Sequence, residues 1–371
     1  MNTFIENIFN PHYWEVVPFH FWSVVFFVFG SIVGSFLNVC IYRMPLGLSV
    51  VNPPSHCPHC IYASPFYLNV PLLTWLSLGG KCKNCRAPIS PRYFVVELLT
   101  GLTFLACWLA FGHASPWIAL ADCLFLAGLI TATFIDFEHF IIPDEITLGG
   151  AVVGFVISFL LPALHGANTA GDGLARSALG IAIGGGIVYA VLRLGKLLFG
   201  KHKIKLPPDA RIVFSETALC LPGEEIPYEE FFYRKTDAIV FSAKHLELVD
   251  RSYPSATVRL SPSELRIEDE IISPDTVLHL EATCSELTVP REAMGLGDVK
   301  FMAAIGAFTG WQGALFALMA SSMIGSAVGI ILIVCRKREW SSRMPYGPYI
   351  ALGAALWIFG GKHWVEAWFR G

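Results

Sequence analysis

Apolar stretches about 20 residues long recur along this chain, and they restrict its fold more than any other feature. They lie at about 19–41, 93–112, 116–135, 145–164, 174–199, 314–335 and 346–368. A bilayer core about 30 Å thick asks for about 20 apolar residues per helix. Inside it every backbone N–H and C=O must be satisfied within the chain, which favours helices. Composition agrees. Charged residues make up 15% of the chain and mean hydropathy is +0.57, whereas soluble domains carry about a quarter charged residues. The formal net charge of -3 argues against a nucleic-acid partner. The first eighteen residues hold no Lys or Arg, so no cleavable signal peptide is expected.

A shorter run, 299–312, is ambiguous by length, and loop charge decides it. Basic residues concentrate in 42–92 (Arg43, Lys81, Lys83, Arg86, Arg92), after 199 (Lys201, Lys203, Lys205) and in RKREWSSR after 335. The links near 113–115 and 163–173 have no Lys or Arg. Positive loops stay in the cytoplasm. Loops 200–297 and 336–345 then share one side, and two crossings must separate them. The expected architecture is an all-α polytopic membrane protein with about eight spans, both termini outside. Its parts are the first span (1–41), a cytoplasmic cysteine loop (42–92), spans two to five (93–200), an insert (201–292) and spans six to eight (293–371).

The insert follows another pattern. It carries 28 of the 55 charged residues, 11 basic and 17 acidic. DAIVFSAKHLELV, ATVRLSPSELRI and DTVLHLEATCSELTV alternate apolar and polar positions between Pro, Ser and Asp breaks. That period marks short half-buried strands, so a small β-rich cytoplasmic domain is expected there.

CPHC (57–60) and CKNC (82–85) stand 21 residues apart. Each CxxC makes a tight turn offering two thiolates, and two such turns complete a four-sulfur zinc shell. Cys57, Cys60, Cys82 and Cys85 are therefore the expected ligands of a structural zinc. The cytoplasm disfavours the alternative of disulfides. Cys220 and Cys284 read as ordinary thiols.

Acids at the ends of apolar spans are costly and call for a reason. Asp136 ends the third span in FIDFEHFIIPDEIT. Asp298 opens the sixth in GLGDVKFMAAIGAFTGW. The charge topology puts both at the cytoplasmic edge. Two neighbouring carboxylates share a proton. One then activates water, while the other hydrogen-bonds a scissile carbonyl and protonates the leaving amine. Gly295 and Gly297 beside Asp298 allow close approach of backbone or substrate. Lys300 either tunes the pair or snorkels to the interface. Helix capping competes as an explanation. It suits Asp144, at the start of the fourth span, and is open to Asp298. It is weak for Asp136, whose charge at a helix C-terminus opposes the dipole. Glu138, two residues further on, reads as solvated.

At these residues the sequence resembles the type IV prepilin peptidase family of bacterial membrane aspartic proteases. GSFLNVCIYRMP (34–45), the two CxxC pairs, SPRYFVVELLTG (90–101), FIDFEHFIIPDEIT, GLGDVK of GxGD type and MPYGPYIALGA (344–354) match family motifs in order. Six in order are specific where one would be weak. The resemblance implies cleavage of the basic leader from type IV prepilins or pseudopilins after a Gly, at the cytoplasmic face of the inner membrane. It implies Asp136 and Asp298 as the catalytic pair and the four cysteines as the zinc set. In many members it also implies N-methylation from S-adenosylmethionine, although no methyl-donor fingerprint is legible here. Asn38, Arg43 and Glu97 fall in matched motifs. Arg43 also reads as a positive-inside anchor, and Glu97 as a helix-start charge. The departure is the insert 201–292, where a typical member has a short loop. It stands to dock a prepilin, to contact pilus or secretion machinery, or only to decorate. The rival functions are a transporter or proton relay, which calls for mid-span acids and interrupted helices, and a methyltransferase or scaffold without protease activity.

Overall fold

The computed structural model describes residues 14, 16–57, 59–63, 65, 69–199, 201–215, 217–222, 224–228, 231–232, 237–277, 279–290, 295–335, 344–364 and 367. The basic link RKREWSSR, which entered the topology argument, lies outside them. The chain forms two compact units, Met1–Tyr189 with Leu296–Gly371, and Ala190–Gly295.

The first unit is helical. Its elements are α1 (Phe19–Arg43), α2 (Leu73–Ser77), α3 (Pro91–Phe111), α4 (Pro116–His139), α5 (Asp144–Leu160), most of α6 (Ala170–Phe199), α7 (Leu296–Val334) and α8 (Gly347–Leu356), which runs into a wider turn at Trp357–Gly361. Among the described residues five of these, α1, α3, α4, α6 and α7, are long and apolar enough to cross a bilayer. Pro at the first helical position and Ser before it start α3 and α4, with the Ser90 and Ser115 hydroxyls accepting backbone N–H groups. Small residues allow the helices to close in on one another. A Cβ on Gly30 would lie 2.7 Å from the Phe104 Cβ, and one on Gly34 would lie 2.8 Å from the Glu97 Cα, so α1 and α3 meet backbone to side chain at Gly30 and backbone to backbone at Gly34. Gly180 of α6 and Gly306 of α7 leave no room for a Cβ against each other's backbone.

Helix α7 covers 39 residues but is broken at Gly310, whose φ of 71° and ψ of -179° are not helical. A Cβ on Gly184 would lie 2.5 Å from the Met302 carbonyl oxygen and 3.3 Å from the Ala314 Cβ. Twelve residues of straight helix would hold those two positions about 18 Å apart. The chain therefore reverses at Gly310, which glycine alone tolerates cheaply. The short run 299–312 and the run 314–335 are two antiparallel arms.

The second unit is a sheet with every pairing antiparallel. Its strands are β1 (Lys201–Phe214), β2 (Ala218–Leu221), β3 (Glu224–Pro227), β4 (Ile239–Ala243), β5 (His245–Leu248), β6 (Ser252–Tyr253), β7 (Ala256–Leu260), β8 (Leu265–Ile267), β9 (Glu270–Ile272) and β10 (Leu280–Pro290). The order is β3-β2-β1-β10-β4-β7-β8-β9, with β5 pairing β10 and β6. Alternate residues such as Val258, Leu265, Ile267 and Leu287 fill its core. The alternation slips once: β10 buries Leu280, Ala282 and Cys284, then Leu287 and Val289. Opposite the slip, β1 shifts register between Lys205 and Ala210. Pro207 and Pro208 have no N–H to give the ladder there, which forces the irregularity.

Candidate active site and metal centre

Asp136 sits in the last turn of α4 and is 5% exposed. Both ends of the residue are held. Phe140, in left-handed backbone at φ 55°, ends the helix by donating its N–H to the Asp136 carbonyl at 3.0 Å. The carboxylate Oδ2 accepts the Gly347 N–H at 2.9 Å, across 211 positions of sequence. A Cβ on Gly347 would lie 2.7 Å from Oδ2 and 3.2 Å from the Ile142 Cδ1. Ile142, itself buried, lies against Gly297 on its other side, where an added Cβ would sit 3.6 Å from the Ile142 Cβ. Asp298 is the next residue, half-buried in the first turn of α7. Asp136, Ile142, Gly347 and the Gly297–Asp298 turn thus form one neighbourhood.

The glycines divide differently from expectation. At Gly297 a Cβ would make ordinary contacts, so sterics do not demand glycine there. Gly295 is exposed and precedes α7. Gly347, which residue reasoning passed over within MPYGPYIALGA, has no room for a side chain. Its only sequence signal was membership of that motif. Gly347→Ala would push the Asp136 carboxylate aside and remove a buried N–H contact. A misplacement near 1 Å costs about a hundredfold in rate. The expected result is a loss of about 10- to 100-fold in whatever activity the Asp136 carboxylate supports, with helical content unchanged by circular dichroism.

Lys300 turns to Asp144, Nζ to Oδ1 at 2.6 Å. This corrects the capping expectation: the N-cap of α5 is Pro143, without a side-chain cap bond, and Asp144 is the first helical residue. Its charge still suits the helix N-terminus. Glu138 is ion-paired with Arg92 rather than simply solvated.

Asn38, Arg43 and Glu97 are gathered elsewhere, around the base of the cysteine loop. The Asn38 Nδ2 bridges the Gly34 and Tyr93 carbonyls at 3.2 and 3.1 Å. Arg43, 8% exposed, donates to the Ser49 and Pro53 carbonyls at 3.0 and 2.7 Å. Glu97 Oε2 accepts the Leu72 N–H at 2.7 Å, and Leu72 stands in left-handed backbone at φ 61°. Arg43 and Glu97 thus tie the cysteine loop to a helix, while Asn38 ties α1 to α3.

The four cysteines come together. All four Sγ atoms lie within 4.8 Å of one another, with Cys57–Cys85 at 3.7 Å and Cys60–Cys82 at 3.9 Å. Four thiolates about 2.3 Å from a tetrahedral ion stand about 3.8 Å apart. The donor set fits. Each CxxC is the same small hairpin. Cys57 N–H donates to Tyr62 O and Cys82 N–H to Ala87 O; Ile61 and Arg86, both at positive φ, return N–H groups to Cys57 and Cys82. The Tyr62 N–H, foremost, lowers the Cys60 thiol to about 6. The Ala87 N–H pulls Cys85 down, but desolvation and the neighbouring sulfurs carry it up to about 12. Four sulfurs this close do not all ionise without a cation to hold them.

A helical, membrane-type bundle with four cysteines placed to hold a metal ion and two aspartates around one helix-end contact defines the class. A model described as the bacterial peptidase A24 N-terminal domain matches residues 28–111. One described as the type IV leader peptidase family matches 123–206 and 277–330. The chain belongs to this family of peptidases. It is 40% identical over 184 residues to a prepilin leader peptidase/N-methyltransferase of Myxococcus xanthus, covering 45% of this chain and 53% of that one. It thus spans about half that relative's length. It is 28% identical over 353 residues to the protein so named in Aeromonas hydrophila, covering 88% and 87%. It is 41% identical over 146 residues to a type 4 prepilin-like proteins leader peptide-processing enzyme of Escherichia coli, covering 34% and 54%. No solved structure matches.

Proposed function

We propose that this chain is a membrane aspartic endopeptidase that removes the leader from type IV prepilins or pseudopilins, cutting after a Gly at the cytoplasmic face of the inner membrane. The observation that carries this is the Asp136 carboxylate, buried, held by the Gly347 N–H and joined through Ile142 to the turn bearing Asp298. Helix polarity divides the pair. Asp298 lies in a first turn, where negative charge is favoured; Asp136 lies in a last turn, where it is not. Asp298 is then the carboxylate that takes a proton from water as the oxygen attacks the scissile carbonyl. Asp136 carries the shared proton, hydrogen-bonds the carbonyl oxygen and passes the proton to the leaving amine. Lys300, tied to Asp144, stands outside this exchange.

The four cysteines would hold zinc, which supplies folding free energy rather than a reactive position, since four sulfurs leave none open. Eight crossings follow if α5 and α8 span with the two arms of α7, placing the cysteine loop and the sheet in the cytoplasm and both termini outside. N-methylation of the new terminal residue from S-adenosylmethionine is supported by the names of the relatives. Mass spectrometry of a co-expressed prepilin tests both steps: leader loss supports the peptidase, an added CH₂ the methyl transfer, and an uncut prepilin overturns the proposal.

The relay reading gains one specific observation. Asp122, which sequence reasoning passed over, is buried inside α4 at 6% exposure. Fourteen residues of helix put it about 21 Å from Asp136, too far to exchange protons with it directly. Asp122→Asn is expected to leave leader cleavage within about twofold of the parent, whereas a relay through α4 would lose its activity.

A further inference from the structure

The cysteine loop carries an exposed apolar surface that the peptidase reading does not use. Leu73 and Leu76 of α2 are 65% and 57% exposed, one helical turn apart. The opposite side of α2 is occupied: Trp75 packs against Phe94 with ring centroids 5.2 Å apart, the rings tilted at 35°, and donates to the Ile89 carbonyl at 3.4 Å. Ile61, at the tip of the first cysteine hairpin, is 78% exposed and has φ 57°. Left-handed backbone is a strained place for a β-branched residue, so neither packing nor local conformation explains Ile61.

The position of α2 points to what covers it. Leu72 immediately precedes α2, and its N–H is bound to Glu97. Glu97 is six residues into α3, about 9 Å along the helix from its start at Pro91. The beginning of α2 is therefore pinned beside a bilayer-length helix, inside that helix's end. Charge adds a second argument: 42–92 contains Arg43, Lys81, Lys83, Arg86 and Arg92 and no Asp or Glu. An apolar face on a basic, acid-free segment at a span's end suits the headgroup layer of an anionic bilayer.

We propose that α2 is an interfacial lipid-binding element, with Leu73 and Leu76 in contact with an anionic bilayer surface and Ile61 a further contact from the first cysteine hairpin. The proposal rests on the membrane reading of the chain, not on the aspartate chemistry. The test uses the full-length protein in nanodiscs, with the photo-crosslinker benzoylphenylalanine in place of Leu73, of Leu76 or, as control, of Phe36 in α1, which is 51% exposed. The probes are phosphatidylglycerol and phosphatidylcholine discs, read by mass spectrometry of adducts. Lipid adducts at 73 and 76 at a third or more of the control yield, and at least twice as abundant with phosphatidylglycerol, are expected. A lower yield overturns lipid contact, and equal yields with the two lipids overturn the preference for an anionic surface. Adducts to a co-reconstituted prepilin in place of lipid also overturn it. No lipid adduct at 36 would defeat the membrane reading itself, and this proposal with it.

Discussion

Asp136→Asn and Asp298→Asn should each lower prepilin leader cleavage by about a thousandfold or more, measured on purified enzyme with a full-length substrate. The size follows from the chemistry. One positioned acid or base contributes about 10²- to 10⁴-fold, and a pair that shares one proton acts as a unit, so either loss removes most of the effect. The two variants should fail in different ways. Asn at 298 removes the group that accepts the proton of the attacking water. Asn at 136 keeps an oxygen able to accept the Gly347 N–H, now found at 2.9 Å on Oδ2, so the local contact survives while the acidic proton is lost. Melting temperature in detergent and metal content should therefore stay at parental values. If both variants still cut at parental rates, the catalytic assignment is wrong. If activity falls only together with unfolding, the buried carboxylate of Asp136 is structural instead.

The second large effect concerns the metal. Cys57→Ser or Cys82→Ser should reduce bound zinc from about one equivalent to below a tenth, read by elemental mass spectrometry of protein purified without chelator. Structural zinc sites carry about 10–16 kcal/mol of apparent binding free energy near neutral pH, and this is folding free energy for the segment that binds. A 51-residue loop without the metal should become sensitive to limited proteolysis between α1 and α3. The damage has a defined boundary. Arg43 with Ser49 and Pro53 holds the loop's start, and Glu97 with Leu72 holds its middle, both without the metal. Cleavage by an added protease should therefore fall between about residues 54 and 71 or 78 and 90, with the helices intact. Full zinc occupancy in either variant would show that the four sulfurs are not the ligand set.

Much of the chain was legible before any fold was known, where its meaning is local. A CxxC pair is a turn with two donors wherever it sits, and the structure brings all four sulfurs within 4.8 Å. Alternation in ATVRLSPSELRI became β7 and β8 with Val258, Leu265 and Ile267 inward. The slip in β10 was not legible, because its cause lies across the ladder in Pro207 and Pro208 of β1. Loop charge called for two crossings near 299–335, and the reversal at Gly310 supplies two arms. Motif membership was less informative about roles. Asn38, Arg43 and Glu97 fall in matched motifs as Asp136 and Asp298 do, yet their hydrogen bonds run to the cysteine loop and between α1 and α3.

The sequence by itself determined the span-length apolar runs, the four cysteines that come together, the β character of the insert and the two acids to suspect. Each of these follows from residue type and short-range spacing. Only the tertiary structure decided what surrounds the acids. Gly347 meets Asp136 across 211 positions, and Ile142 links it to Gly297. Lys300 is taken by Asp144. Apolar helices carry little in their own pattern to say which face meets which neighbour. Those pairings rest on where a glycine lets two backbones approach, as at Gly180 and Gly306, and on which buried carboxylate finds an N–H.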